Sequence, residues 1–174
     1  MKKTKIGGGL ACSEASDWHA MKATAIVRSP AWFLADKLAS AANMTTFDDM
    51  TAQCHELEAY TSSGKRYSVR HVLSKPVFAT STARNFVVVT MFKEDGGGGK
   101  RRFVIASRSL TSHASAPESK QYVGGINHPS GYVVDEMPDD LSCRVTMVAQ
   151  LDLGGMLPAL VMNALAVDAP FKLL

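Results

Sequence analysis

The sequence predicts an α+β fold in which a curved antiparallel β-sheet wraps around a long C-terminal helix and leaves an internal hydrophobic cavity. Three observations predict it. About six to eight short stretches alternate apolar and polar residues at the two-residue period of strands, with turn residues between them. From Leu157 to Val167 only Asn163 is polar, so a helix there must be buried on every side. That run is also shorter than the roughly 20 residues that cross a bilayer, so a sheet can cover one face while a partner, a lid or a hydrophobic ligand covers the other.

Each element follows from local residues. Residues 18–27 alternate roughly, as a strand does, and stop at Arg28-Ser29-Pro30. Ser29 as N-cap with Pro30 in the first turn starts a helix, with Phe33, Leu34, Leu38, Ala41 and Ala42 on one face and Asn43 at its close. A turn over 45–50 leads to strands at 53–60 and 65–73, a hairpin around Thr61-Ser62-Ser63-Gly64. Residues 74–83 read as a structured loop with Pro76, Val77 and Phe78 at its tip, a lid. Strands follow at 86–92 and 103–110, joined by Glu94-Asp95 and four glycines expected to form a mobile turn. Residues 112–121 are a polar loop, and strands at 122–127, 131–137 and 143–153 precede the last helix, about 157–174.

Composition narrows the function. The chain has 174 residues, 46% hydrophobic and 20% charged, which suits one domain, 1–174, with a sizeable core. The 19 basic and 16 acidic residues leave a net charge of +3, too little to imply a nucleic-acid partner. The basic clusters at Lys2-Lys3-Thr4-Lys5, Lys65-Arg66 and Lys100-Arg101-Arg102 read as solvated turns. Cys12, Cys54 and Cys143 are widely spaced and odd in number, which fits neither a disulfide framework nor a zinc site and points to a reducing compartment. No signal-peptide core and no run of about 18 apolar residues occurs. The expectation is a cytoplasmic monomer without cofactors.

Catalytic motifs fail on spacing. Cys54, His55 and Glu56 alternate faces on a strand and cannot act together. The position four after His55 is Ala59, so a metalloprotease pair is absent, and a phosphate loop ending at Lys100 would begin at Glu94 and continue to Arg101. Gly7-Gly8-Gly9 leads to Cys12 where a dinucleotide motif needs glycine. Asp48-Asp49 reads as a surface turn, Arg84 as a strand-edge cation tied to a carboxylate, and Trp18 and Trp32 as core.

Four segments in order resemble the START (steroidogenic-acute-regulatory-related lipid transfer) domains of helix-grip fold. Arg84-Asn85-Phe86-Val87-Val88 is similar to the family's Arg-Asp-Phe strand start, and Phe103-Val104-Ile105-Ala106-Ser107-Arg108-Ser109 to its next strand. Pro129-Ser130-Gly131-Tyr132-Val133-Val134 resembles its Pro-Ser-Gly-Tyr strand. Gln150-Leu151-Asp152-Leu153-Gly154-Gly155-Met156-Leu157-Pro158 resembles its turn into the last helix. The family's long N-terminal helix is not visible, and Pro170 would kink or end the last helix early.

The resemblance implies a tunnel for one lipid, gated by the last helix and by the 74–83 loop, where Pro76, Val77 and Phe78 would touch membrane. Its lining would be His71, Phe86, Val88, Thr90, Arg108, Val133, Asp135, Val148, Gln150, Leu157, Leu160, Val161, Ala164 and Leu165. The family's cavity cation falls at Thr90 and its acidic partner near His71, so the charged pair is replaced. Thr90 or Gln150 bonding a neutral hydroxyl or carbonyl is the preferred reading, with Arg108 and Asp135 as further polar candidates. The implied function is non-enzymatic lipid binding and transfer by a cytoplasmic protein peripheral to membranes. Two alternatives stand beside it: a helix-grip cyclase or hydrolase using His71 as base, and a lipid-sensing module of a larger protein.

Overall fold

The structure, a computed structural model, describes residues 20–77, 81–97, 99–117 and 119–155. The helix expected over 157–174, Trp18 and Phe78 lie outside those residues. Strand β1 (Met21–Val27) leads to helix α1 (Ala31–Ala39) and the short helix α2 (Met44–Phe47). Strands β2 (Thr51–Ser62) and β3 (Lys65–Ser74) form one hairpin, and β4 (Arg84–Gly97) and β5 (Lys100–Ser109) another. After them come β6 (Val123–Gly124), β7 (Ile126–Asn127), β8 (Ser130–Glu136), β9 (Cys143–Ala149) and β10 (Leu151–Asp152).

The main sheet is curved and runs β1-β9-β8-β5-β4-β3-β2, with each neighbouring pair antiparallel. Strand β6 pairs parallel with the start of β4, and β7 pairs with β10 apart from the main sheet. The expected strands at 122–127 and 143–153 are each broken, at Gly125 and at Gln150. These breaks free β7 and β10 to pair with each other.

The first hairpin turns at Ser63 (φ 50°) and Gly64 (φ 71°), with Ser62 opposite Lys65. Two left-handed residues in a two-residue loop match the twist of the flanking strands. The glycine run is not a loose loop. Gly96 pairs with Arg101 and Gly97 with Lys100, and an ion pair between Glu94 and Arg101 at 2.7 Å holds the strands together just before them.

Helix α1 departs from expectation at both ends and on its buried face. Pro30 is extended (ψ 137°) and takes the cap position without a side-chain bond, while the Ser29 hydroxyl turns to the Pro30 carbonyl at 3.4 Å. Ser40 (φ −91°, ψ 126°) ends the helix, well before Asn43. Ala31, Ala35 and Leu38 are its buried residues, spaced four and three apart on one face. Alanines let the helix lie close on the sheet, so the bulky neighbours point away. Trp32 is 51% exposed and meets Phe33 edge to face at 5.7 Å, which corrects its expected core role.

The face of the sheet under α1 is the inner face. There Phe103, Ile105, Val134, Cys143 and Val145 form one core with Ala31, Ala35 and Leu38. A second apolar cluster, Val72, Phe86 and Val88, gathers Met44, Cys54 and Leu153. Gly131 is required where β8 crosses β5, because a Cβ there would lie 2.0 Å from the Ile105 carbonyl oxygen. On the outer face the loop after β5 reaches across to β2, where His113 Nε2 meets Glu58 Oε1 at 3.0 Å. On that outer face Val69 is only 6% exposed, as is Ala116 within the loop.

Two predictions follow from this packing. Phe103 is 2% exposed, so Phe103→Ala lowers the unfolding free energy by about 3–5 kcal/mol in urea titrations. Burial, aided by the charge of Asp48, holds the Tyr132 phenol up to about 12, whereas an unfolded phenol ionises near about 10. The unfolded chain therefore loses its proton first, and stability falls as pH rises between those values, by at most about 1.4 kcal/mol per pH unit. Urea midpoints of the unaltered protein should drop relative to Tyr132→Phe above pH ~10, and parallel curves would refute this.

Candidate functional site

The site is built by the inner-facing residues of β3 and β4. Directly opposed residues of an antiparallel pair share a face, and here Arg66 opposes Phe92, Ser68 opposes Thr90, Arg70 opposes Val88 and Val72 opposes Phe86. With Glu56 and Ala59 of β2 and Ala39 at the end of α1, these strands line a cavity of about 330 Å³. Thr90 also opposes Ser107 of β5, which opposes Ser130 of β8. A row of small hydroxyl side chains therefore crosses four strands at mid-sheet.

Arg70 dominates the electrostatics. It is 6% exposed; its Nε donates to Ser68 Oγ at 2.7 Å and its Nη2 donates to the Ala39 carbonyl. Ala39 ends α1, so Arg70 meets the negative end of the helix dipole. Burial pulls its pKa down, and the neighbouring Cys54 and Glu56 oppose that shift. The Cys54 thiol is pushed up, chiefly by burial, with Arg70 pulling the other way. Arg66 is compensated instead: its Nη2 pairs with Asp36 at 2.9 Å, and its guanidinium lies 4.2 Å from the Phe92 ring centroid.

A second buried cation lies at the end of the apolar cluster. Arg84 is 3% exposed, and its guanidinium donates to the carbonyls of Thr82 and of Leu153, the latter at 3.1 Å. Its own amide donates to Ser74 Oγ at 2.9 Å. Arg84 was expected to hold a carboxylate; among the described residues it holds backbone instead. It thereby fastens both ends of the 74–83 loop and the approach to the last segment.

The residues inferred from sequence divide between the two faces. Phe86, Val88 and Thr90 lie on the inner face, Thr90 in the cavity and the others in the cluster beside it. Cross-strand pairing puts His71, Arg108, Val133, Asp135 and Val148 on the outer face. There His71 Nε2 meets Asn85 Oδ1 at 2.8 Å, and Asp135 pairs with Arg102 at 2.5 Å. A base role for His71 inside the cavity is incompatible with that placement. Gln150 sits at the break between β9 and β10, where its amide donates to Ser130 Oγ at 3.0 Å and its carbonyl accepts from His128 at 2.9 Å. Pro76 and Val77 begin the loop, while Phe78, Leu157, Leu160, Val161, Ala164 and Leu165 lie outside the described residues. Sequence reasoning missed Arg66, Ser68, Arg70 and Glu56. Counting alternate residues forward from the Ser63-Gly64 turn finds Arg66, Ser68 and Arg70, but the bulge between Glu56 and Glu58 on β2 hides Glu56 from such a count.

A curved antiparallel sheet with an apolar inner face and a cavity along it defines the helix-grip class. Within that class the chain belongs to the START domain family, whose pattern matches residues 5–169. Solved structures share the fold at low sequence identity. Human StAR-related lipid transfer protein 5 aligns with a TM-score of 0.77 at 18% identity, over 89% of this chain and 71% of that one. A StAR-related lipid transfer protein fragment from Xanthomonas axonopodis gives 0.70 at 16% identity, over 92% and 84%. The aromatase/cyclase ZhuI from Streptomyces gives 0.51 at 15% identity, over 89% and 88%. A comparison with curated proteins finds no match. Among the described residues no helix is long and apolar enough to cross a membrane, and no cluster of side chains could hold a metal ion.

Removing the Arg84 guanidinium strands two carbonyl acceptors. Arg84→Met should lower stability by about 1–3 kcal/mol and speed proteolytic cleavage within 74–83. Cleavage at the unaltered rate would show that the loop does not depend on Arg84.

Proposed function

We propose that this chain binds one hydrophobic lipid between the inner face of the sheet and its C-terminal segment, and carries or senses it without chemical change. The observation that carries the reading is a cavity of about 330 Å³ on the inner face, beside which the Val72, Phe86 and Val88 cluster begins directly across from Arg70. The fold relatives named as lipid transfer proteins support it. Each methylene removed from water is worth about 0.8 kcal/mol, so every methylene of an acyl or sterol body that the chain encloses offsets part of the cost of leaving a bilayer. The 74–83 loop is the lid in this reading, with Pro76, Val77 and Phe78 making brief contact with a membrane surface. Leu157, Leu160, Val161, Ala164 and Leu165 form the opposite wall. The protein acts as a cytoplasmic monomer, peripheral to membranes, with Thr90 among the residues that meet the ligand.

Native mass spectrometry of the purified chain, followed by solvent extraction, tests this directly. One lipid per chain is expected, and the same lipid should exchange from labelled vesicles. A chain that carries no lipid and takes up none from vesicles would overturn the proposal.

A further inference from the structure

We propose that Arg70 is the head-group site of this cavity and that the ligand is an apolar chain ending in a single anionic oxygen group, a carboxylate or a phosphate monoester. The inference rests on the lipid-binding reading above and adds the chemistry of the ligand's polar end. Arg70 is 94% buried, yet its described acceptors, the Ser68 hydroxyl and the Ala39 carbonyl, are both neutral. Among the described residues no carboxylate pairs with it. Glu56 lies directly across from Arg70 on β2 and acts on it from a distance, but a buried guanidinium whose hydrogen-bond acceptors are all neutral is under-compensated. The helix end at Ala39 supplies only about half a negative charge.

The surroundings say what should fill the gap. The other cation of the cavity, Arg66, already has Asp36 at 2.9 Å. Glu56 is the acidic residue among those lining the cavity, but its side chain is exposed and its charge is screened by water. Arg70 therefore stands as the cation still open to an anion, with the hydroxyls of Ser68 and Thr90 beside it. Orientation follows from the strand. Val88 lies directly across from Arg70, and Val72 and Phe86 continue on the same face toward Leu153. An amphiphile fits with its anionic end at Arg70 and its chain along this cluster. A guanidinium presents paired donors to two oxygens of a carboxylate or phosphate, which an alcohol or ester cannot match.

The test compares two probes that differ only in charge, the fluorescent fatty acid cis-parinaric acid and its methyl ester. The acid should bind the unaltered chain roughly tenfold tighter than the ester. Arg70→Met should abolish that preference while leaving ester binding in place, and Arg70→Lys should keep part of it. Displacement by dodecanoate and by dodecyl phosphate then names the head group, the better competitor being the matching anion. Equal affinity of acid and ester for the unaltered chain, or displacement by dodecanol as good as by either anion, overturns the assignment and leaves lipid binding standing. Binding of neither probe overturns the head-group assignment, and it overturns lipid binding as well where the purified chain also carries no lipid and takes none from vesicles. The comparison on the unaltered chain needs no variant, so a misfolded Arg70 substitution does not blunt it.

Discussion

The parity of strand β3 decides what the cavity is made of. A one-residue slip in a strand exchanges its two faces completely, and β3 carries Arg66, Ser68, Arg70 and Val72 on one side and Tyr67, Val69, His71 and Leu73 on the other. Several interactions pin the observed choice. The Ser63-Gly64 turn sets Ser62 against Lys65, the Arg66 guanidinium stacks on Phe92 inside, and His71 meets Asn85 outside. Tyr60 and Tyr67 stack at 4.9 Å between β2 and β3. A slip would break all of these together and would bring the His71 imidazole inward in place of a guanidinium.

Parity also explains why the fold was far more legible than the site. His71 enters the expected cavity lining only through the family resemblance, which puts the acidic partner position near it, and the apolar alternation of Tyr67, Val69 and Leu73 on the same side of β3 gives no signal against that placement. The pairing of β3 with β4 instead turns His71 outward and its neighbour Arg70 inward. The loop after β5 reaches that side of the sheet at Glu58, and Val69 is buried there without facing the cavity. The fold survives such errors because element existence depends on period alone. Both long hairpins and the Arg84 strand start are where their residues predict, while of the turn expected at Pro129-Ser130-Gly131 the last two residues already belong to β8.

Helix α1 shows the same limit from the other side. A helical pattern judged by hydrophobicity weights Trp32 and Phe33 heavily, but close approach to a sheet favours the smallest side chains. Ala31 and Ala35 are fully buried while both aromatics are more than two-fifths exposed. The close approach has a consequence at the cavity, because it carries the C-terminal carbonyl of Ala39 to the guanidinium of Arg70. No local pattern could announce that contact. It joins residues 31 positions apart, and it needs the helix length, the alanine face and the parity of β3 to be known at once.

Arg70 and Arg84 share burial and neutral acceptors, yet they call for different roles. Arg84 takes its acceptors from Thr82 and Leu153, on separate segments, and does not border the described cavity. Its charge is spread over backbone dipoles that converge from both sides, which is how a cation fastens chain ends that must stay together. Arg70 is held by Ser68 of its own strand and by Ala39 of the helix, both at the edge of open space. Its remaining donors have room for a guest. Burial makes both guanidiniums costly, but only one of them is placed where a ligand can relieve that cost.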